Sequence, residues 1–392
     1  MASGTRLHAP QVPDRAGVVV LGGGVMGVST AFHLAEAGVQ DVVLVERDAL
    51  GEGSTCKAAG GVRAQFSDRL NIELGMRSLE AFRRFRERPG QEIDLHQVGY
   101  LFLLEKPEHV TAFEASVELQ NSMGVPSRMI SPEEAQRLSP LIDPAQLSGA
   151  AFSPTDGHCT PESVVLGYAT AARRLGARIV TGCAATGIET RGDRITAVVT
   201  EAGRIETDTV VCATGAWSRE VASWVGVDLP VTPLRRQILL TEPIADLPPS
   251  LPMTLHFETS FYFHREGAGL LIGMSDPDEQ PGFDTRPDDA WLPRLSAAIE
   301  HCAPRLLDVG LTRGWAGLYE MTPDHNALIG EAPSVSRFFY ATGFSGHGFL
   351  MGPAVGEVMR DLVLGVAPYV DISPLDARRF AGAGARPELH VI

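Results

Sequence analysis

Three glycines, Gly22, Gly24 and Gly27, stand in the spacing Gly-x-Gly-x-x-Gly, directly after an apolar run at 17–21 and at the opening of a helical pattern. The first glycine allows a tight turn, the second lets backbone approach a pyrophosphate, and the third permits close helix–strand packing. Val25 and Met26 open the helix, whose N–H groups and positive dipole end suit phosphate. A second apolar run, 42–45, ends at Glu46 and Arg47, and an acid there can accept hydrogen bonds from a ribose. An acidic residue at that place disfavours a 2′-phosphate. These features predict a βαβ unit for a dinucleotide without that phosphate.

Four further segments carry small polar or glycine-rich chemistry. The first is Gly51-Glu-Gly-Ser-Thr-Cys-Lys-Ala-Ala-Gly-Gly-Val-Arg63, and the second is Thr209-Val-Val-Cys-Ala-Thr-Gly-Ala-Trp-Ser218. The third is Gly317-Leu-Tyr-Glu-Met-Thr-Pro-Asp-His325 and the fourth Thr342-Gly-Phe-Ser-Gly-His-Gly-Phe349. In this order, over about residues 17–364, they resemble the D-amino-acid-oxidase-like flavoprotein superfamily. The nearer likeness is to its branch of sarcosine oxidases, dimethylglycine dehydrogenases and proline dehydrogenase β-subunits.

The resemblance implies FAD as cofactor. It implies oxidation of the C–N bond of a secondary amine or amino acid (N-alkyl or cyclic imino acid), with hydride passing to flavin N5 and the imine hydrolysing. Electrons would go to O2 or to an acceptor; the alternative is a dehydrogenase subunit that serves a partner protein or quinone. The matched positions give the expected cofactor contacts: Gly22, Gly24, Val25, Met26, Gly27, Glu46, Arg47, Ser54, Thr55, Lys57, Ala185, Ala213, Thr214, Gly215, Trp217, Gly343, Gly346, His347, Gly348, Phe349 and Leu350. Arg63 matches the family's substrate-carboxylate anchor; its planar fork can bind a carboxylate bidentately, and the competing reading is a surface arginine. Tyr262 and His264 alternate along a strand, share one face, and either wall the pocket or face core or solvent. His347 is a flavin contact or a structural loop histidine, and Lys57 an oxygen-activating cation or a pyrophosphate or surface contact.

Departures from the family pattern matter as much. The lysine that helps bind carboxylate in sarcosine oxidases is Leu350 here. Gly317 replaces the cysteine, and Lys57 the histidine, through which relatives attach FAD covalently. The cofactor is therefore expected to be non-covalent. Leu271 and Ser275 fall near the oxygen-activating groups, so slow reaction with oxygen is expected unless Lys57 supplies the cation. The cluster Phe261, Tyr262 and Phe263, with Leu350, suggests a substrate larger, or less doubly anchored, than sarcosine.

The elements that position these residues read as follows. Strands are expected at 17–21, 42–45, 99–104, 178–180, 195–200, 209–212, 234–240, 261–264, 269–273 and 338–341, with a hairpin about 266–268. Helices are expected at 25–37, 68–88, 132–138 opened by Ser131, 161–175 opened by Thr160, 290–302 and 354–364, the last starting at Ala354. The fold class is α/β plus α+β: a Rossmann-like FAD-binding domain in three parts (1–95, 151–228, 315–392), and a substrate domain on an antiparallel sheet in two (96–150, 229–314). With 392 residues the chain exceeds a single core, which supports two units. A net charge of −15 argues against nucleic acid and an anionic membrane surface. Five cysteines without a Cys-x-x-Cys pair argue against a disulfide framework or a zinc site, so no metal is expected. Met1–Asp14 reads as a loose polar segment without a signal-peptide core, and no run spans a bilayer, so a cytoplasmic protein is expected.

Overall fold

A computed structural model describes residues 10–381, 384–388 and 390. For residues 1–9 the expected loose leader lies outside the described residues. One six-stranded sheet runs in the order Leu328–Glu331, Phe338–Thr342, Val210–Cys212, Val18–Leu21, Val42–Val45, Arg178–Val180. All its pairings are parallel except the antiparallel edge strand Leu328–Glu331. The middle strands are apolar throughout because both faces are covered. On one face α1 (Val25–Glu36) packs against later helices, and on the other lies a small antiparallel sheet spanning Ala185–Arg191, Arg194–Thr200 and Gly203–Glu206.

The helices follow chain order. Helix α2 (Arg69–Arg83) is capped by the Asp68 side chain, which accepts from the Leu70 N–H. It stops five residues short of the expected end at 88. Helices α3 (Pro107–Ser122) and α4 (Pro132–Leu138) follow, and Ser131 caps α4 by accepting from the Glu134 N–H. Thr160 holds the N-cap position of α5 (Pro161–Arg174) without a side-chain bond. Helices α6 (Ser218–Ser223), α7 (Leu292–Cys302) and α8 (Gly348–Leu364) complete the set. Helix α3 was not anticipated: its buried stripe, Phe113, Ser116, Val117 and Gln120, has helical spacing, but two of the four residues are polar and leave no apolar period to read.

The second large sheet has eight strands, ordered Leu311–Met321, Thr232–Thr241, Gly269–Met274, Tyr262–Glu266, Met253–His256, Tyr100–Leu104, Gly149–Ser153, Arg128–Ile130. It is antiparallel apart from the pair Met253–His256 and Tyr100–Leu104. The expected hairpin is present, with Tyr262 opposite Gly273. The pleat sends Phe261 and Phe263 into a core with Trp291, Leu295 and Ile299 of the α7 region, while Tyr262 takes the other face.

Helix α8 begins at Gly348, six residues before the expected start at Ala354. Pro353, a residue type that usually interrupts a helix interior, lies inside this helix. Ala354 is buried and its N–H meets Ser78 Oγ at 3.2 Å, so it presents no free helix end.

Candidate active site

A cleft of about 290 Å³ runs between the parallel sheet and the eight-stranded sheet. Its inner end is built from backbone. Gly22 has φ +104°, and a Cβ there would lie 2.3 Å from the Ala213 carbonyl oxygen. A Cβ on Gly27 would lie 1.9 Å from the Gly22 carbonyl oxygen, so only glycine lets α1 close onto its strand. Gly24, the N-cap of α1, makes no side-chain cap bond, and the Val25 N–H meets Thr55 Oγ1 at 3.1 Å. Glu46 follows the strand Val42–Val45. Its Oε2 accepts from the Gly23 N–H at 2.6 Å and its Oε1 from the Asp48 N–H at 2.8 Å. Each oxygen keeps a further acceptor site, and the carboxylate is held fixed at the cleft wall. The Arg47 guanidinium lies 3.8 Å from the Trp217 ring centroid. Ala185, Ala213, Thr214, Gly215 and Trp217 line the same end.

Farther along, the 51–63 segment meets the start of α8. Ser54, Thr55 and Lys57 line the cleft around a short 3-10 turn, Thr55–Lys57. Lys57 Nζ is 3.2 Å from Glu52 Oε1, and its carbonyl accepts from Trp315 Nε1 at 3.0 Å. A Cβ on Gly317 would stand 2.6 Å from Lys57 Cβ, so the strand approaches this turn only as glycine. Gly346 has φ +102°, and a Cβ there would strike the Tyr319 ring at 2.3 Å. His347 is the N-cap of α8, and Gly348, Phe349 and Leu350 form its first turn; all of these residues line the cleft, whereas Gly343, also expected to contact the cofactor, lies outside the lining. The Gly343 N–H instead donates to Glu320 Oε2 at 3.0 Å. Burial, reinforced by Arg63, pushes His347 down to about 3, so its ring is neutral; both ring nitrogens are buried without a partner.

The outer wall comes from the eight-stranded sheet and consists of side chains: Tyr100, Arg236, Ile238, Met253, Tyr262 and Tyr319. Along Thr232–Thr241 alternation sends neighbouring arginines to opposite sides. Arg235 leaves the cleft to pair with Glu279 at 2.9 Å and Asp288 at 2.5 Å. Arg236 lines the cleft, 5.3 Å from the Tyr319 ring centroid, and its buried Nε has no partner. Burial pushes the Tyr262 hydroxyl well up from its ordinary value, which keeps it a neutral donor. Arg236 and Tyr319 escaped the sequence reading. Their signal was an Arg-Arg pair on a strand and a tyrosine inside the quoted 317–325 motif, neither of which fixes a direction without the register.

Arg63 also lines the cleft, but its two terminal nitrogens donate to the Gln65 and His390 carbonyls, and its guanidinium lies 4.0 Å from the Phe66 ring centroid. Beside it, burial raises Asp156 to about 7, although Ala64 N–H donates to Oδ1 at 3.2 Å. His264 shares a strand face with Tyr262 but is tied to the Ala59 carbonyl at 2.9 Å, where it braces the 54–63 segment from behind. Phe261, Phe263, Leu271 and Ser275 do not line the cleft. Of the cluster from which a larger substrate was inferred, only Tyr262 reaches the cleft, since the pleat turns its two neighbours into the core.

The match to known proteins spans most of the chain: the family described as DAO, FAD dependent oxidoreductase, covers residues 17–362. The chain belongs to this family of FAD-dependent oxidoreductases. It is 31% identical over 391 residues to mitochondrial dimethylglycine dehydrogenase of Rattus norvegicus, covering 95% of this chain and 45% of that protein. It is 28% identical to 4-methylaminobutanoate oxidase (formaldehyde-forming) of Paenarthrobacter nicotinovorans, covering 96% and 47%. The chain thus spans about half the length of these relatives. Among solved structures, L-proline dehydrogenase from P. horikoshii superposes with a TM-score of 0.90 at 34% identity, covering 96% of this chain and all of that one.

FAD, the cofactor of this oxidoreductase family, fits the residues present. The glycine cradle at Gly22–Gly27 leaves space that a side chain would fill, Glu46 offers acceptors beside it, and the first turn of α8 aims N–H groups into the far end. Among the described residues no helix is long and apolar enough to cross a membrane.

Proposed function

We propose that this flavoprotein oxidises the C–N bond of an N-alkyl or cyclic amino acid whose carboxylate is held by Arg236. The observation that carries the reading is the buried, unpartnered Nε of Arg236 in the cleft wall, flanked by Tyr262 and Tyr319. Its Nη1 donates to the Arg235 carbonyl at 3.1 Å, and a guanidinium that keeps a free Nε donor in a desolvated pocket is matched by a carboxylate. Dimethylglycine, proline and 4-methylaminobutanoate, in the names of the similar proteins, each combine a substituted nitrogen with a carboxylate. Arg63, the sequence candidate, adds positive charge, but its fork is engaged by two backbone carbonyls.

The cofactor end is read as Glu46 on the ribose, Gly22–Gly27 with Thr55 on the pyrophosphate, and the first turn of α8 with neutral His347 against the isoalloxazine. The three cofactor segments, 1–95, 151–228 and 315–392, then frame two substrate segments, 96–150 and 229–314. FAD is held without a covalent bond, because Gly317 has no side chain and Lys57 replaces the histidine of relatives. Bound FAD supplies the two-electron acceptor for the C–H beside nitrogen, and the released imine hydrolyses. The protein's own part is orientation through Arg236, exclusion of water by Tyr100, Tyr262 and Tyr319, and a positive field at the α8 terminus that favours the reduced cofactor.

For the acceptor we favour dehydrogenase behaviour over oxidase behaviour: Lys57, the lysine in the cleft lining, is paired with Glu52, which cancels part of its field. The chain is placed in the cytoplasm, in line with five free cysteines. The test is steady-state kinetics of Arg236→Met and Arg63→Lys with the same amino-acid substrate. A larger loss in kcat/KM for Arg236→Met supports the reading; a loss confined to Arg63→Lys returns the anchor to Arg63.

A further inference from the structure

Beyond the far end of the strands Tyr100–Leu104 and Met253–His256, outside the cleft lining, lies a second cluster of chemistry-bearing side chains. Glu105 follows the first strand, His256 ends the second, Glu258 sits two residues on, and His301 is in the last turn of α7. Glu105 Oε1 accepts from His256 Nε2 at 2.9 Å and is also in contact with His301 Nε2. One donor atom from each of Glu105, His256 and His301 lies within 4.8 Å of the others, an arrangement that stands alone among the described residues.

Glu258 adds an independent observation. Its side chain is only 9% exposed. Oε1 is anchored three times, accepting from the backbone N–H groups of Glu105 at 3.0 Å and Lys106 at 3.2 Å and meeting His109 Nδ1 at 2.8 Å. Oε2 is buried with no hydrogen-bond partner and lies 3.8 Å from His256 Nε2. A carboxylate locked on one oxygen thus holds the other, desolvated and unpaired, toward the imidazole shared with Glu105. An unpaired buried carboxylate oxygen is costly unless a cation or donor meets it.

We propose that Glu105, His256, Glu258 and His301 form a binding site for a divalent metal ion of the zinc class. Two imidazole nitrogens and two carboxylate oxygens suit Zn²⁺ in a tetrahedron. With metal–ligand distances near 2.0–2.1 Å, ligand atoms stand about 3.3 Å apart. The 2.9 Å and 3.8 Å separations about His256 Nε2 bracket that value, so small side-chain adjustments admit the ion. His256 Nδ1 is held by Thr259, 2.9 Å from its Oγ1 and 3.3 Å from its backbone N–H, which fixes the ring with Nε2 toward Glu105 and Glu258. The ion would clamp the end of α7 to two strand ends and act as a structural brace remote from the flavin. The four ligands are scattered from 105 to 301, without the short spacing by which zinc sites are read from sequence.

The test uses the full-length, FAD-loaded protein, treated with EDTA, dialysed and titrated with Zn²⁺ by calorimetry, with Mg²⁺ as a second titrant. One Zn²⁺ per chain is expected, with Mg²⁺ far weaker, and thermal unfolding should shift upward on Zn²⁺ addition. Glu258→Gln keeps the shape and its anchored oxygen, and His301→Ala alters a half-exposed residue; each should weaken Zn²⁺ at least tenfold without changing flavin content or amine oxidation. If Glu258→Gln loses its flavin, the surface variant His301→Ala carries the test alone. Absence of saturable Zn²⁺ binding overturns the proposal, as does binding that both variants leave unchanged. Neither result bears on the substrate reading.

Discussion

The two walls of the cleft are made in different ways. The parallel-sheet wall is backbone: glycine turns, helix N-termini and one carboxylate pinned by N–H groups. The eight-stranded wall is side chain: an arginine, three tyrosines, an isoleucine and a methionine, aimed by strand alternation. A backbone wall tolerates almost no added atom, because a Cβ at Gly22 or Gly27 meets a carbonyl oxygen closer than any van der Waals contact. A side-chain wall tolerates change in structure but not in chemistry, since what it recognises is carried by a few polar atoms. Substitutions on the first wall should therefore remove the cofactor, and those on the second should spare the cofactor and alter substrate use.

The sharpest break in that contrast comes from Gly22→Val. The branched side chain has no room beside Ala213, and φ +104° is strained for any L side chain. The soluble fraction should carry no FAD, read as the ratio of flavin to protein absorbance. A yellow Gly22→Val protein would show that the turn can relax.

Arg236→Met should leave FAD in place and lower kcat/KM for carboxylate substrates by about 2–3 kcal/mol, roughly 30- to 150-fold, the cost of a charge-assisted contact in a desolvated site. Arg235→Gln, one residue away but outside the cleft, should change kcat/KM less than about fivefold. Equal losses in the two would mean that the strand's alternation does not set substrate use.

A third effect, on stability rather than on substrate use, is read by pH at Asp156, outside the cleft lining. Burial gives Asp156 a folded-state value of about 7, above about 3.9 for an unfolded aspartate. The folded protein then keeps the proton while the unfolded chain releases it, so stability falls as pH rises from about 4 to about 7, by up to about 1.4 kcal/mol per pH unit. Asp156→Asn should flatten that slope in denaturant midpoints measured across the window; an unchanged slope would mean that Arg63 keeps the carboxylate ionised.

The smallest effect is expected at Lys57. Its ammonium is about one-third exposed and paired with Glu52, so removing it should change the rate of flavin reoxidation by oxygen less than about fivefold. Anaerobic reduction followed by rapid mixing with oxygenated buffer gives the rate for parent and Lys57→Met. A collapse in the variant would make Lys57 the oxygen-activating cation.

What could be read from sequence follows the same division. The backbone wall was legible because glycine at fixed spacing after an apolar run has one common explanation, and Glu46 stood where a ribose acceptor belongs. The start of α8 was misplaced because its first turns hold Gly348, Gly352 and Pro353, residues of poor helix propensity, whereas the chain enters the helix at Gly348. The side-chain wall was largely illegible. Arg235 and Arg236 are identical in type, and only the register of Thr232–Thr241 against its neighbours tells which one faces the cleft. Phe261, Tyr262 and Phe263 read as one cluster until the pleat divided them. The engagement of Arg63 by the carbonyl of His390, 327 residues away, leaves no trace in local pattern.

The central claim, oxidation of an amino acid bearing a substituted nitrogen and anchored through Arg236, is met most directly by anaerobic bleaching of the flavin band. Parent and Arg236→Met proteins are each mixed with proline, sarcosine, dimethylglycine and 4-methylaminobutanoate, and with the corresponding amines that lack the carboxylate. The parent should bleach with at least one of the acids and not with its decarboxylated partner, and Arg236→Met should need a far higher concentration of that acid. Bleaching of the parent by the amine as readily as by the acid, or no bleaching by any member of the panel, would contradict the claim.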